Sequence, residues 1–278
     1  MSIEQEYQEL IQLYIRTCEA VKGETLPAER AWLYDTEQLA AKLLSHVLSL
    51  FYLYHGTNLD RVTPLRIAFF DFPSALVLLR AALETYLTFY HIFIEPTDVR
   101  KKMFRYKVWK LGGYLEKQRL SPVITMEEHR KVLMSEHIAM EQLLGEIIQN
   151  PLYLQLSPEL QARIREKGDW KFKQHWKTLA GVAGFDKEAF GCIYSYLCSH
   201  SHSGFHAITQ IRDPDGKMQK KLIEVWLPIA MALMGNFVDA YASIWPKAQQ
   251  VLNAMPSEKR ALATFWRDAG LVLRAGKA

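Results

Sequence analysis

The stretch SALVLLRAALETYLTFYHIF, residues 74–93, decides the fold. Its apolar side chains follow one another with no two-residue alternation, and the run is longer than an ordinary strand. Those two features read as a buried helix. Asp71 ahead of Pro73 supplies a start signal. Arg80 and Glu84 nevertheless stand in its middle. At about 100° per residue, Arg80, Glu84, Thr88 and His91 fall within an arc of about 80°, and the opposite face is Leu, Val, Ala and Phe. Arg80 and Glu84 have i, i+4 spacing, so their side chains can touch. A buried pair of this kind is weak evidence for stability, because well-packed leucines often serve as well. Two accounts stay open: a satisfied ion pair that fixes helix register, or a polar pocket between the helices of a bundle.

Helical signals continue on both sides. Tyr7, Leu10, Ile11, Tyr14 and Ile15 have helix spacing within 2–22. Thr25 as a cap with Pro27 in the first turn predicts a helix running to about Tyr54, and HGTN at 55–58 stops it. EPTD at 95–98 breaks the chain, Thr97 caps the helix carrying VRKKMFRYKVWKL, and Gly112 and Gly113 end or loosen it. Thr125 and Glu128 have capping-box spacing for a helix over about 126–149. Ser157-Pro158 opens a short helix, residues 171–183 form another, and Asp186 caps 187 to about 202. RDPDGK at 212–217 reads as the clearest turn, followed by a long helix over 218–253 and a last one capped by Ser257. FHAITQI, 205–211, is the one candidate for an extended piece. The fold class expected is all-α: a multi-helix bundle forming a single domain over 1–278, with the more polar stretch 119–170 as an insertion or flap.

Composition narrows the function classes. The chain has 278 residues, 49% of them hydrophobic and 23% charged, enough to fill a large core. A net charge of +4 is too small to imply nucleic acid by itself. Cys18, Cys192 and Cys198 are odd in number and lack C-x-x-C spacing, which argues against a disulfide scaffold and suits a reducing, cytoplasmic setting. The start, MSIEQEYQELIQLY, is acidic and amphipathic, unlike a signal peptide. The run VWLPIAMALMGNFV, 225–238, falls short of the ~18–20 residues of a spanning helix. Residues 74–94 carry charges that are costly in lipid, so both segments are expected to be core helices, with no membrane partner. P-loop, dinucleotide and G-x-S-x-G patterns are absent.

A second polar stripe lies in IYSYLCSHSHSGFHAI, 193–208. On a helix Ser195, Ser199, His202 and His206 share one face, Tyr194 and Cys198 flank it, and His200 points away. Three pieces together resemble an uncharacterised all-helical bacterial family grouped with HEPN-type domains, helical bundles that include ribonucleases of stress and defence systems. They are R-x-x-x-E at Arg80 and Glu84, the basic helix with Arg105-Tyr106, and the Tyr194, Tyr196, Leu197, Cys198, Ser199, His202 ending. HWKTLAGVAGF, 175–185, also fits, and the resemblance covers about 70–210. The resemblance implies an HEPN-like core and, in the superfamily, metal-independent RNA cleavage by an R-x(4–6)-H motif. This chain departs from that motif: no arginine stands at that distance before His202, and the one match, Arg130 to His137, lies in the polar middle helix.

The functional expectation is a nucleotide- or RNA-phosphate-binding pocket, with a ribonuclease as its enzymatic form. Arg80 and His202 would meet across the bundle, with Glu84 orienting one of them. A guanidinium fork suits a phosphate, and a histidine titrating near neutrality suits the 2′-hydroxyl proton. Arg105 would add a second phosphate contact, and Tyr194, Ser199 and His91 would complete the binding set. No cofactor is expected. Two alternatives are carried. One is a non-enzymatic scaffold or regulatory protein, a homodimer through the helix over 218–253, in which Arg80–Glu84 is an internal lock. The other is a metal site around His202 and His206, which share a face but lack further helix-borne ligands.

Overall fold

Three- and four-residue apolar spacing runs through almost the whole sequence, and the helices follow it. The computed structural model describes residues 1–59, 61, 64, 68–212 and 216–272. Contacts divide the chain into two compact units, Met1–Tyr90 with Trp176–Ala278, and His91–His175. In chain order the first unit begins with α1 (Ile3–Glu19), α2 (Tyr34–His55) and α3 (Phe72–Phe89). The second unit holds α4 (Val99–Gln118), α5 (Glu127–Ile148), α6 (Pro151–Leu154) and α7 (Pro158–Lys167). The first unit resumes with α8 (Trp176–Val182), α9 (Lys187–Ser201), α10 (Phe205–Arg212), α11 (Gly216–Glu224), α12 (Leu227–Ile244), α13 (Pro246–Ala254) and α14 (Ser257–Val272).

In the first unit, α3 packs against α2, α9 and α12. Leu76, Leu79, Leu83, Leu87 and Phe89 are all buried, which places α3 at the core. Asp71 caps it by accepting from the Ser74 amide, as the Asp-x-Pro signal predicts. A capping box between Ser2 and Gln5 starts α1. Polar tips of the buried rings are satisfied: Tyr7 donates to the Val47 carbonyl at 2.9 Å and Tyr14 to the Ala40 carbonyl at 2.8 Å. The Trp245 indole N–H donates to Thr36 Oγ1 at 3.0 Å, both fully enclosed.

The structure changes several local expectations. The helix expected over 218–253 is three helices, α11, α12 and α13, because Pro228 and Pro246 each start a new one. Proline lacks an amide hydrogen and crowds the preceding turn, and it pushes the residue before it to extended backbone. Trp245 accordingly sits at φ −112°, ψ 107°. The segment 205–211 is helical, as α10, and lies beside α9 with no strand to pair with it among the described residues. A short antiparallel pair, Thr57–Asn58 with Ala68–Phe69, follows α2 and is too brief to leave an alternating signature. The turn read at 212–217 includes residues 213–215, which lie outside the described residues. Two helical stretches, Phe72–Ile94 and Gly216–Ile244, are long and apolar enough to cross a membrane by length and composition, and more than half of each such window is buried within the protein.

In the second unit Phe104, Val108, Leu111, Met140, Ile147, Tyr153 and Ile164 form the core. Asp98, rather than Thr97, caps α4, and Met126 opens α5 with no side-chain cap, so the Thr125–Glu128 box does not form. Ser157 caps α7 as expected. Gly112 does not end α4. A β-carbon there would stand 2.9 Å from the Gly168 carbonyl oxygen, so the glycine marks a close approach of α4 to the end of α7. Gly168 itself is in the left-handed region at φ +58° and closes α7.

The same steric reasoning gives two opposite predictions. In Gly235→Ala the new methyl would meet the Ala263 oxygen and Arg267 nitrogen of α14 at 2.8 Å, both backbone atoms. Urea denaturation of that variant is expected to show a loss of about 1–3 kcal/mol. Gly113→Ala, inside α4 with nothing within 4 Å, is expected to gain about 0.5–1 kcal/mol from helix propensity.

Candidate functional site

The Arg80–Glu84 pair forms, and α9 supplies its third member. Arg80 Nη2 lies 3.0 Å from Glu84 Oε1. Tyr194 donates its hydroxyl hydrogen to the same Glu84 oxygen at 2.5 Å and accepts from Arg80 Nε and Nη2, each at 3.4 Å. The guanidinium carbon stands 5.5 Å from the Tyr194 ring centroid, and Phe190 stacks on that ring at 5.6 Å. Arg80 and Glu84 remain 25% and 29% exposed, so the cluster is neither sealed nor open. Burial alone would lower the Arg80 guanidinium; the Tyr194 hydrogen bond and the Glu84 charge outweigh it and raise the group. Burial raises the Tyr194 phenol, the Glu84 hydrogen bond adds to that, and Arg80 opposes it. Thr88, expected on the same stripe, turns its hydroxyl to the Glu84 carbonyl of its own helix.

His91 leaves the stripe because α3 is followed by a π turn, Tyr90–Ile94, which widens the helix and shifts the phase of the residues within and beyond it. His91 belongs to the second unit, where it is 1% exposed. Its Nδ1 lies 2.9 Å from Glu95 Oε2 and its Nε2 3.3 Å from the Trp170 carbonyl. Arg105 grips Glu95 through both terminal nitrogens, one of them 2.9 Å from Oε1, and donates to the His91 carbonyl at 2.7 Å. Burial alone would raise the Glu95 carboxyl; hydrogen bonds from His91 and Arg105 and the Arg105 charge overcome that and bring it from 4.5 to about 2. This is an internally satisfied cluster of the second unit, and Arg105 is committed within it.

The outer side of α9 carries the other polar group. A cleft of about 610 Å³ is lined by Lys177, Glu188, Gly191, Cys192, Ser195, Tyr196, Ser199 and His206. Ser195 and Ser199 share this face of α9 by their spacing, and His206 reaches the cleft from α10. His202 does not line this cleft. It is exposed at the C-cap of α9, where its amide donates to the Cys198 carbonyl at 3.0 Å and its side chain has no hydrogen bond or ion pair among the described residues. It stands eight residues beyond Tyr194, or about 12 Å along a helix axis. Arg80 and His202 make no contact. Lys177 pairs with Glu188 at 2.7 Å, both well exposed. The Tyr196 ring stacks on Trp226 at 4.9 Å and meets the His206 edge at 5.7 Å, while its hydroxyl donates to Gln210 Oε1 at 2.7 Å.

His200 is the inward-facing histidine of the group. It packs edge-on against Phe72, its Nε2 lies 3.1 Å from Gln210 Oε1, and its buried Nδ1 has no hydrogen-bond partner among the described residues. Among the described residues no three His, Cys, Asp or Glu side chains are grouped to hold a metal ion. Sequence reasoning missed Lys177, Glu188 and Gln210, which reach α9 from α8, from its own first turn and from α10. It also missed Glu95, which the sequence marks only as part of a helix-breaking segment.

Two measurements check this geometry. Tyr194→Phe removes the hydroxyl that bridges Arg80 and Glu84 and is expected to cost about 1 kcal/mol in denaturant unfolding. Glu95 is depressed in the folded state, so its stabilisation is full above the unfolded value of 4.5 and fades as pH falls toward 2. Hydrogen-exchange protection of residues 91–175 is expected to decline across that window, and Glu95→Gln to flatten the decline.

Comparison with known proteins gives a family and no activity. No curated protein and no solved structure matches the chain. One family matches residues 38–219, from α2 into α11 and so across both units. The chain belongs to that family, DUF5677, a family of unknown function.

Proposed function

We propose that the protein binds a phosphate-bearing ligand, a nucleotide or single-stranded RNA, in the cleft along the outer side of α9. The observation that carries this reading is the convergence there of one lysine, two serine hydroxyls and two aromatic edges: Lys177, Ser195, Ser199, Tyr196 and His206. A lysine ammonium is a compact charge for a phosphate, and the hydroxyls are short-range donors. The exposed His206 ring offers a surface on which a base can stack, beside the edge of Tyr196. The exposed Lys177–Glu188 pair contributes little stability, so an incoming phosphate displaces Glu188 at small cost.

Cleavage of the kind found among HEPN-type domains requires an arginine and a histidine at one phosphate. Here Arg80 is engaged by Glu84 and Tyr194, and His202 stands apart at the helix end. The geometry therefore supports binding without cleavage, with Arg80–Glu84–Tyr194 as the tie that holds α9 on α3. A relationship to HEPN-type domains and a cytoplasmic setting belong to the same proposal.

Fluorescence anisotropy with a labelled single-stranded oligoribonucleotide, and ATP as competitor, tests it. Saturable binding is expected, weakened roughly tenfold by Lys177→Ala, with the logarithmic salt slope reduced by about 0.7 for one lost phosphate contact. The absence of saturable binding, or equal affinity of the variant, rejects the reading. Cutting of the RNA by the wild type that disappears in both Arg80→Ala and His202→Ala would replace it with a ribonuclease.

A further inference from the structure

On the inward side of α9 lies a second opening that the phosphate reading does not use. A pocket of about 330 Å³ sits among α3, α9, α12 and α14. Leu83, Phe190, Ile193 and Ile229 line it, with the indoles of Trp226 and Trp266. Phe190 and Ile193 project from the side of α9 opposite Ser195 and Ser199, by helix spacing. The Trp266 N–H is already donated to Glu6 Oε2 at 2.9 Å, so this indole offers the pocket its ring rather than a polar group. Trp226 is held by its stack on Tyr196.

One ionisable residue, Asp186, stands among the lining residues. Its Oδ1 accepts from the Ala189 amide at 2.8 Å as the N-cap of α9. Its Oδ2 has no hydrogen-bond partner among the described residues, and the side chain is half-buried. A lone carboxylate among apolar lining residues therefore selects a cation, while the aromatic walls select a flat ring. An apolar cavity of about 150 Å³ takes benzene, so twice that volume suits a bicyclic ring with a short chain.

We propose that this pocket binds a small aromatic amine, its ring between Phe190 and the two indoles and its ammonium on Asp186 Oδ2. Calorimetry on the full chain with tryptamine, indole and indole-3-acetate, followed in parallel by tryptophan fluorescence, tests it. Tryptamine is expected to bind roughly tenfold more tightly than indole-3-acetate. Asp186→Asn retains the helix cap, because asparagine caps as well as aspartate. That variant is expected to remove the preference for the cation and leave indole binding unchanged. Ile229→Phe fills the pocket from a partly exposed position and is expected to abolish binding of all three, with an unchanged circular dichroism spectrum. No saturable tryptamine binding, equal affinity for cation and anion in the wild type, or undiminished binding in Ile229→Phe overturns the proposal. Lys177→Ala, which removes the lysine of the α9 cleft and no lining residue of this pocket, is expected to leave each readout unchanged, so the two readings fail separately.

Discussion

The first unit depends on how one charge pair is met inside an otherwise apolar helix. Arg80 and Glu84 sit among buried neighbours of α3, where an unmatched charge would be strongly unfavourable. The two meet each other at 3.0 Å, and Tyr194 completes the cluster from α9. Its hydroxyl donates to the carboxylate and accepts from the guanidinium, and Phe190, one helical turn earlier, fixes the ring in place. A slip of α9 by one residue would rotate Tyr194 by about 100° and break its bonds to both members of the pair. The cluster therefore specifies register more than it adds stability. With the register set, Phe190 and Ile193 must face inward, and Ser195 and Ser199 must face outward.

Much of this architecture is legible in the residues themselves, where the controlling interaction is local. Asp71, Ser157 and Asp186 cap the helices that their positions predict, because a cap reaches only two or three residues along the chain. The i, i+4 contact of Arg80 with Glu84 is local in the same sense. Where two local rules conflict, apolar periodicity is the poorer guide. It runs smoothly across 218–253, yet Pro228 and Pro246 prevail because a missing amide hydrogen and a ring clash cannot be offset by burial. The π turn at Tyr90–Ile94 is harder to foresee. It has no compositional mark, and it moves His91 out of a stripe to which simple helix geometry assigns it.

The polar groups divide along the same line. Ser195 and Ser199 could be grouped from spacing alone, because one helix carries them, whereas His206 arrives on α10 after a turn. Lys177 could not, since its place beside α9 arises from packing of α8, which no periodicity encodes. Gly112 shows how a residue type can be read correctly for its freedom and wrongly for its use: it looks like a helix end and instead admits the Gly168 carbonyl. His200 shows the complementary case. A histidine assigned away from the functional stripe is the one that the core encloses, through Phe72 and Gln210.

The Tyr196–Trp226 stack joins these observations. Tyr196 borders the outer cleft and Trp226 borders the inner pocket, so one pair of rings at 4.9 Å forms a wall of both. Gln210 holds this wall from α10 by accepting the Tyr196 hydroxyl, and His200 supports it from beneath, 5.1 Å from the Tyr196 ring. Rings packed at that distance have no slack into which one can tilt alone. The size of the outer cleft and the size of the inner pocket are therefore not independent quantities. Trp226 is the shared element, and it stands in the two-residue break that Pro228 imposes between α11 and α12.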